Sequence, residues 1–138
     1  MSQDLLDGLR TLIAEAPFYR WNQIEVSAAQ AGSVTLTLEL QEHHLNVQGL
    51  AHGGVLATLA DAAMGLSIRS ALEPGRRHVT IEMGMHYLRP VTRGGIVATG
   101  HAVRVGREIA YAEADVTDAG GRVLARASGT YSVTRAAD

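Results

Sequence analysis

Between Asn46 and Asp61 the chain reads NVQGLAHGGVLATLAD. This stretch sets an amide, an imidazole, a glycine pair and one carboxylate in or beside an apolar run. A carboxylate is costly to bury without a partner, so Asp61 either hydrogen-bonds a structural group or faces a cleft. Gly53 and Gly54 stand where a helix would begin. A helix start presents N–H groups that have no internal partner. It also carries a partial positive charge of about half a unit. Glycine lets another molecule approach that backbone closely. Such a place suits an anion, or an oxygen that becomes one during a reaction. The alternative is a loop-to-helix joint where glycine only relieves crowding. Asn46 reads as a turn residue on its own, and His52 as a cap or a packed side chain. Together these groups frame an attack on a carbonyl: donors for its oxygen, and a carboxylate for water. Asp61 lies eight residues beyond Gly53, about 12 Å along a helix at ~1.5 Å per residue.

Other chemistries find little support. Cysteine is absent, which removes disulfides, a thiolate nucleophile and Cys-based zinc sites. His43 and His44 are adjacent and have no HxxxH partner, so they do not converge on one ion, and no metal is expected. GLAHGG lacks the spacing and the preceding βαβ unit of a dinucleotide fingerprint. The net charge of -2 and the pI near 6.3 argue against electrostatic binding to nucleic acid or to an anionic membrane. The opening MSQDLLDGLRTLIAEAP has neither the basic start nor the long apolar core of a signal peptide. The longest apolar run, GGVLATLADAAMGLSI, contains an acid and is too short for a membrane span. A cytoplasmic protein is expected. The 138 residues, 46% of them apolar, fit one domain over 1–138 with a sizeable core.

The elements that must position these groups follow from periodicity. Leu5, Leu6, Leu9, Leu12 and Ile13 recur at helical spacing and predict an amphipathic helix over about 2–15, ended by Pro17. FYRWNQIEV leads into a strand near 22–30, and Gly32-Ser33 turns the chain. SVTLTLELQ alternates, with Val34, Leu36, Leu38 and Leu40 on one face, so the two strands form a hairpin. Residues 43–51 fit no period and read as a loop. His52 to about Leu72 reads as a helix, apolar nearly all round and therefore buried on most of its surface. Glu73-Pro74-Gly75 stops it. Beyond it, Val79, Ile81, Met83, Met85 and Tyr87 alternate with His78, Thr80, Glu82, Gly84 and His86, up to Pro90. IVATGHAVRV, REIAYAEADVTD and RVLARASGTYSV then read as long antiparallel strands joined by short turns. One buried helix flanked by strands in sequence predicts an α+β fold, with an antiparallel sheet curled around the helix. Paired sheet edges in a dimer are its natural completion.

The pattern Asn46–x5–His52-Gly53-Gly54–x6–Asp61 resembles the hotdog-fold acyl-CoA thioesterases, specifically their phenylacetate-degradation branch. HVTIEMGMHYLRPV is similar to the family's strand after the helix. GHAVRVGREIAYAEADVTDAGGRVLARASGTY is similar to its final strands. The likeness covers roughly residues 20–133. It implies a long helix wrapped by a curved antiparallel sheet, sites at a dimer interface, and dimers that pair into tetramers. It implies that the N–H of Gly53 and the side chain of Asn46 polarise a thioester carbonyl. Asp61 then activates water or attacks directly, Thr80 from the partner subunit helps hold the water, and His52 shapes the site. Arg89, Arg104 and Arg107 correspond to basic residues that hold CoA phosphates; the alternative is solvated surface charge. Some members carry a His near the end of the last strand, by the leaving thiol, where this chain has Tyr131.

The reading is an acyl-CoA thioesterase that needs no cofactor and acts on an aryl or medium-chain acyl group. Met64, Ile68, Met83 and Met85 are the expected lining of the acyl pocket. Two rivals stand beside it. One is a hotdog dehydratase or hydratase acting on acyl thioesters, which would pair a His with an acid. The other is a non-catalytic acyl-CoA binding module.

Overall fold

The structure, a computed structural model, describes residues 2–135. Helix α1 (Ser2–Ala14) is followed by a second short helix, α2 (Pro17–Asn22). The first strand therefore begins later than expected, as β1 (Glu25–Gln30). The reason is local. Pro17 holds Ala16 in an extended conformation, φ -95° and ψ 115°, which ends α1. A proline also fits the first turn of a helix, where its missing N–H is no loss. The same residue thus stops one helix and starts the next, and Gln23, in the left-handed region at φ 59°, closes α2.

Strands β1 and β2 (Ser33–Glu39) form the expected hairpin. The expected loop contains one 3-10 turn, Glu42–His44. His44 is buried there, and both its ring nitrogens are taken by backbone. Its Nδ1 accepts from the Gln41 N–H at 2.9 Å, and its Nε2 donates to the Asn22 carbonyl at 3.1 Å. Burial and the neighbouring His43 hold its pKa below the usual histidine range. Helix α3 (Gly53–Ser70) follows, then β3 (Arg76–Tyr87), β4 (Gly95–Val105), β5 (Ile109–Asp118) and β6 (Val123–Arg135).

All six strands join one antiparallel sheet in the order β1-β2-β4-β5-β6-β3. Helix α3 packs against β2, β4, β5, β6 and β3, while α1 packs against β1. This is the α+β hotdog arrangement: one long central helix against an antiparallel sheet. No helix among the described residues is long and apolar enough to cross a membrane.

Much of the inner face of β4, β5 and β6 is built from small side chains. Ala98, Ala110, Ala112, Ala114, Ala125 and Ala127 are buried under α3. At Gly100 the approach is closest: a Cβ there would stand 2.3 Å from the Ala63 carbonyl oxygen. Two serines fasten the helix to the hairpin. Ser67 Oγ accepts the Val34 N–H at 3.0 Å, and Ser70 Oγ accepts the Gly32 N–H at 2.8 Å.

Strand β3 departs from simple alternation. Thr80 pairs with Tyr131 and Glu82 pairs with Thr130, so Ile81 is an extra residue in a bulge. The bulge switches the inward face from even to odd positions. His78 and Thr80 point to the helix before it; Met83 and Met85 pack on the core after it. Val79 and Ile81, which simple alternation groups with Met83 and Met85, are exposed instead. They lie on β3, which is one edge of the sheet.

The close contact at Gly100 predicts a specific intolerance. Gly100→Ala should destabilise the protein by about 1–3 kcal/mol or more, because the clash is with backbone that cannot rotate away. Gly84→Ala, with nothing within 4 Å of the added carbon, should stay within about 0.5 kcal/mol of the parent. Urea unfolding of both variants checks the contrast, and equal midpoints would mean that α3 does not sit this close to β4.

Candidate active site

The helix start is organised by its own neighbours. His52 is the N-cap of α3, and its Nδ1 accepts the Gly54 N–H at 2.8 Å. A neutral ring in this role carries its proton on Nε2. The Gly54 N–H is therefore spent. A Cβ at Gly54 would stand 2.9 Å from that Nδ1, so glycine here serves the cap. Gly53 differs. Its N–H has no partner among the described residues, and a Cβ on it would make only ordinary contact, 3.4 Å from the Tyr87 ring. Nothing inside the chain demands glycine at 53. An open N–H at the positive end of an 18-residue helix is able to donate to water or to an oxygen from outside the chain. The hydroxyl of Tyr87 donates to the Gly53 carbonyl at 2.8 Å and steadies this turn.

Asn46 is half-buried beside the same end. Its Oδ1 accepts the N–H groups of Gln48 and Leu50, at 2.9 and 3.1 Å. The turn-capping reading of Asn46 therefore holds for its oxygen. Its amide nitrogen makes no hydrogen bond among the described residues and keeps two donors to give. A groove of about 310 Å³ opens at Gly53, with Leu50, Tyr87 and Arg89 among its walls; Asn46 is not one of its lining residues.

Asp61 belongs to a different cluster, about two turns further along α3. The Thr80 hydroxyl donates to its Oδ1 at 2.9 Å, and the Tyr131 hydroxyl donates to the same oxygen at 2.8 Å. Tyr131 also reaches the Asp61 carbonyl at 3.2 Å. The expectation that Thr80 meets Asp61 across a subunit boundary is corrected here, because both belong to one chain. Nor does Asp61 join the groups at the helix start. Its donors come from β3 and β6, which are paired at this level of the sheet.

Around Asp61 lies a cavity of about 230 Å³, with Leu12, Tyr19, Leu66, Arg69 and His78 among its walls. Tyr131 is fully buried. Burial, then the Asp61 charge, push its hydroxyl well above the usual tyrosine range, so it remains a proton donor. The Tyr19 hydroxyl is pushed up by burial and then by Asp61. His78 is held below the usual histidine range, first by burial and then by Arg69, with Asp61 opposing.

The expected acyl lining changes in part. Met64 and Ile68 are fully buried on the sheet-facing side of α3, and they are core rather than pocket wall. Met83 and Met85 are half-buried. The three arginines do not gather in one place. Arg89 lies by the Gly53 groove, with its guanidinium donating to the Val123 carbonyl at 2.9 Å. Arg104 and Arg107 line a cavity of about 710 Å³ at the turn between β4 and β5. That turn lies near Arg76, past the far end of α3. That cavity holds neither Gly53 nor Asp61.

Sequence reasoning missed Tyr87, Tyr19 and His78, and it noted Tyr131 only as a departure from a family pattern. Tyr131 joins the site through its pairing with Thr80, 51 positions earlier by number, and no local spacing marks such a contact.

A family model described as the thioesterase superfamily matches residues 48–125. Human acyl-coenzyme A thioesterase 13 is 30% identical over 129 residues, covering 91% of each chain. A crystal structure of a thioesterase from Haemophilus influenzae superposes with a TM-score of 0.90 at 25% identity, covering 96% of this chain and 92% of that one. A protein of the Escherichia coli phenylacetic acid degradation operon shares the fold, with a TM-score of 0.86 at 19% identity, covering 99% of this chain and 96% of that one.

The cap at His52 is open to direct test. His52→Ala removes the acceptor for Gly54 and should cost about 1 kcal/mol of stability. His52→Asn supplies one of the best N-cap side chains and should hold the melting temperature near the parent value. Thermal melts of the two variants check this; if Asn melts as low as Ala, the imidazole is holding something else.

Proposed function

The chain belongs to the thioesterase superfamily, and we propose that it hydrolyses an acyl-CoA to the free acid and CoA, with an aryl or medium-chain acyl group as its substrate class. The observation that carries this reading is a division of labour along α3. The Gly53 N–H is unspent while its neighbour Gly54 is capped, and eight residues on stands a carboxylate with its own donors. Gly53 and the Asn46 amide stabilise the negative oxygen that forms when the carbonyl is attacked, helped by the helix dipole. Asp61 takes a proton from the attacking water or adds to the carbonyl itself. The carbon–sulfur bond then breaks, and its electron pair leaves with the CoA sulfur.

These two halves do not serve one carbonyl within one chain. Reacting groups need to lie about 3–3.5 Å from the carbonyl, whereas Gly53 and Asp61 are separated by about 12 Å of helix. The reading therefore takes Gly53 and Asn46 from one subunit, and Asp61 and Thr80 from another. The unpaired edge of β3, with Val79 and Ile81 exposed on it, suits antiparallel pairing with a second copy. Arg89, in the wall of the Gly53 groove, is the arginine best placed to meet CoA phosphates.

The hydratase alternative has less to work with. His52 is committed to the cap at the helix start, away from Asp61. His78 shares the Asp61 cavity, yet makes no hydrogen bond to the carboxylate among the described residues. Incubation with acetyl-, octanoyl- and phenylacetyl-CoA separates the readings. Free thiol marks hydrolysis, hydration without thiol marks a lyase, and binding with neither marks a sensor.

Two variants test the assignment of roles. Gly53 occupies the first helical position, where proline is tolerated, and His52 at φ -60° and ψ 134° already suits a following proline. Gly53→Pro deletes one N–H and little else. Turnover should fall by roughly 100- to 1,000-fold in a folded protein. Asp61→Asn should cost roughly 100- to 10,000-fold with substrate affinity nearly unchanged. A folded Asp61→Asn protein that turns over within a few-fold of the parent would sink the mechanism assigned to Asp61.

A further inference from the structure

We propose that Tyr131, acting with Thr80, is a positioning residue that commits Asp61 to react through Oδ2. This rests on the reading of Asp61 as the group that activates water. Tyr131 and Thr80 are direct partners across β6 and β3. Directly opposed residues project on the same face with Cβ atoms about 4.5–5.5 Å apart. Both hydroxyls therefore converge on the helix at one level, and both land on Asp61 Oδ1. Oδ2 accepts from no side chain among the described residues. Of the two carboxylate oxygens, one is saturated by protein donors and the other is left for water.

The hydroxyl of Tyr131 is not free to wander. A Cβ at Gly129 would stand 3.0 Å from one edge of the ring, and a Cβ at Gly65 would stand 3.7 Å from the other. The ring lies between two residues that have no side chains, on β6 and α3, and it is fully buried. Such a clamped aromatic fixes the direction of its donor before any substrate arrives. The Ile81 bulge follows Thr80 immediately and sets the facing of this strand where it passes Asp61.

The chemical consequence follows atom by atom. The water oxygen forms the new bond to the thioester carbon, and its proton passes to Oδ2. The carbon–sulfur bond breaks with the pair going to sulfur. Through this step Oδ1 keeps its two hydrogen bonds, so the carboxylate plane does not rotate. The last-strand residue of this chain thus acts on the carboxylate rather than on the leaving thiol.

The test is a cycle of variants followed by thiol release from octanoyl- or phenylacetyl-CoA, whichever the parent hydrolyses faster. Tyr131→Phe keeps the ring and removes one donor. Its kcat should fall by about 10- to 100-fold with KM within twofold, the scale of one hydrogen bond to a charged group. In an Asp61→Asn background the same change should cost no more than about twofold, because the residue acts only through that carboxylate. Thr80→Val should follow the same pattern, and Thr80→Ser should recover most of the rate. Thr80 is exposed, so its variants remain informative if Tyr131→Phe fails to fold. A tyrosine that merely packs would lower the melting temperature and cut kcat alike in both backgrounds. That result, or a Tyr131→Phe kcat within threefold of the parent, overturns the proposal. If Asp61→Asn is inactive while Tyr131→Phe is active, the positioning role fails and the hydrolysis reading stands. If Asp61→Asn is itself active, the reading of Asp61 as the group that activates water fails first, and the positioning role falls with it.

Discussion

Everything in this molecule depends on how close α3 lies to the sheet. The helix is apolar on nearly every side, so it must be covered. Its cover combines the larger side chains of β2, such as Leu36 and Leu38, with a run of alanines and glycines on β4, β5 and β6. At Gly100 the sheet contributes bare backbone, and the Ala63 carbonyl sits where a side chain would otherwise be. Only at that separation can Ser67 and Ser70 reach the backbone of β2 and of the β1–β2 turn. The same separation lets Thr80 of β3 and Tyr131 of β6 reach Asp61. A larger residue at Gly100 would push α3 outward, away from the donors of Asp61.

Asp61 and Tyr131 solve each other's problem. A half-buried carboxylate needs donors, and a fully buried phenol needs an acceptor. Their shared hydrogen bond supplies both. Tyr131 does not ionise in this setting, since burial and the adjacent carboxylate both oppose a second negative charge. The pair is therefore asymmetric, with one partner fixed as donor and the other as acceptor. Asymmetry of that kind suits a site that must present one particular oxygen.

Much of the frame was legible in the sequence because its signals are local. The alternation in SVTLTLELQ gave β2. The Ala- and Leu-rich run without proline gave α3 within about two residues at either end, and HGG marked its start. What escaped notice is non-local or turns on one residue. The Ile81 bulge reverses the facing of half a strand, whereas pure alternation groups Val79 and Ile81 with Met83 and Met85. The contact of Thr80 with Tyr131 exists because the first strand after the helix pairs with the last. That connection is set by topology and not by spacing. Helix α2 escaped because Pro17 was read only as a stop, although proline favours the first turn of a new helix as strongly as it ends an old one. Asn46 was the opposite case. Both of its readings are accommodated, since the oxygen caps a turn and the nitrogen stays open.

One helix carries both halves of the proposed chemistry, and its geometry bears on how many chains such a site requires. A donor at Gly53 and a carboxylate at Asp61 lie about 12 Å apart on a rigid rod, too far for a single carbonyl. Bending the helix is excluded by its packing along the sheet. A second copy related by a two-fold axis removes the difficulty. If Gly53 of one chain faces Asp61 of the other, symmetry makes the reciprocal contact as well, so one interface creates two sites. The strand that supports Asp61 through Thr80 is also the strand with the unpaired edge. Assembly and catalysis would then share β3. Pairing at its outer side and the hydrogen bond at its inner side would depend on the same bulge and the same register.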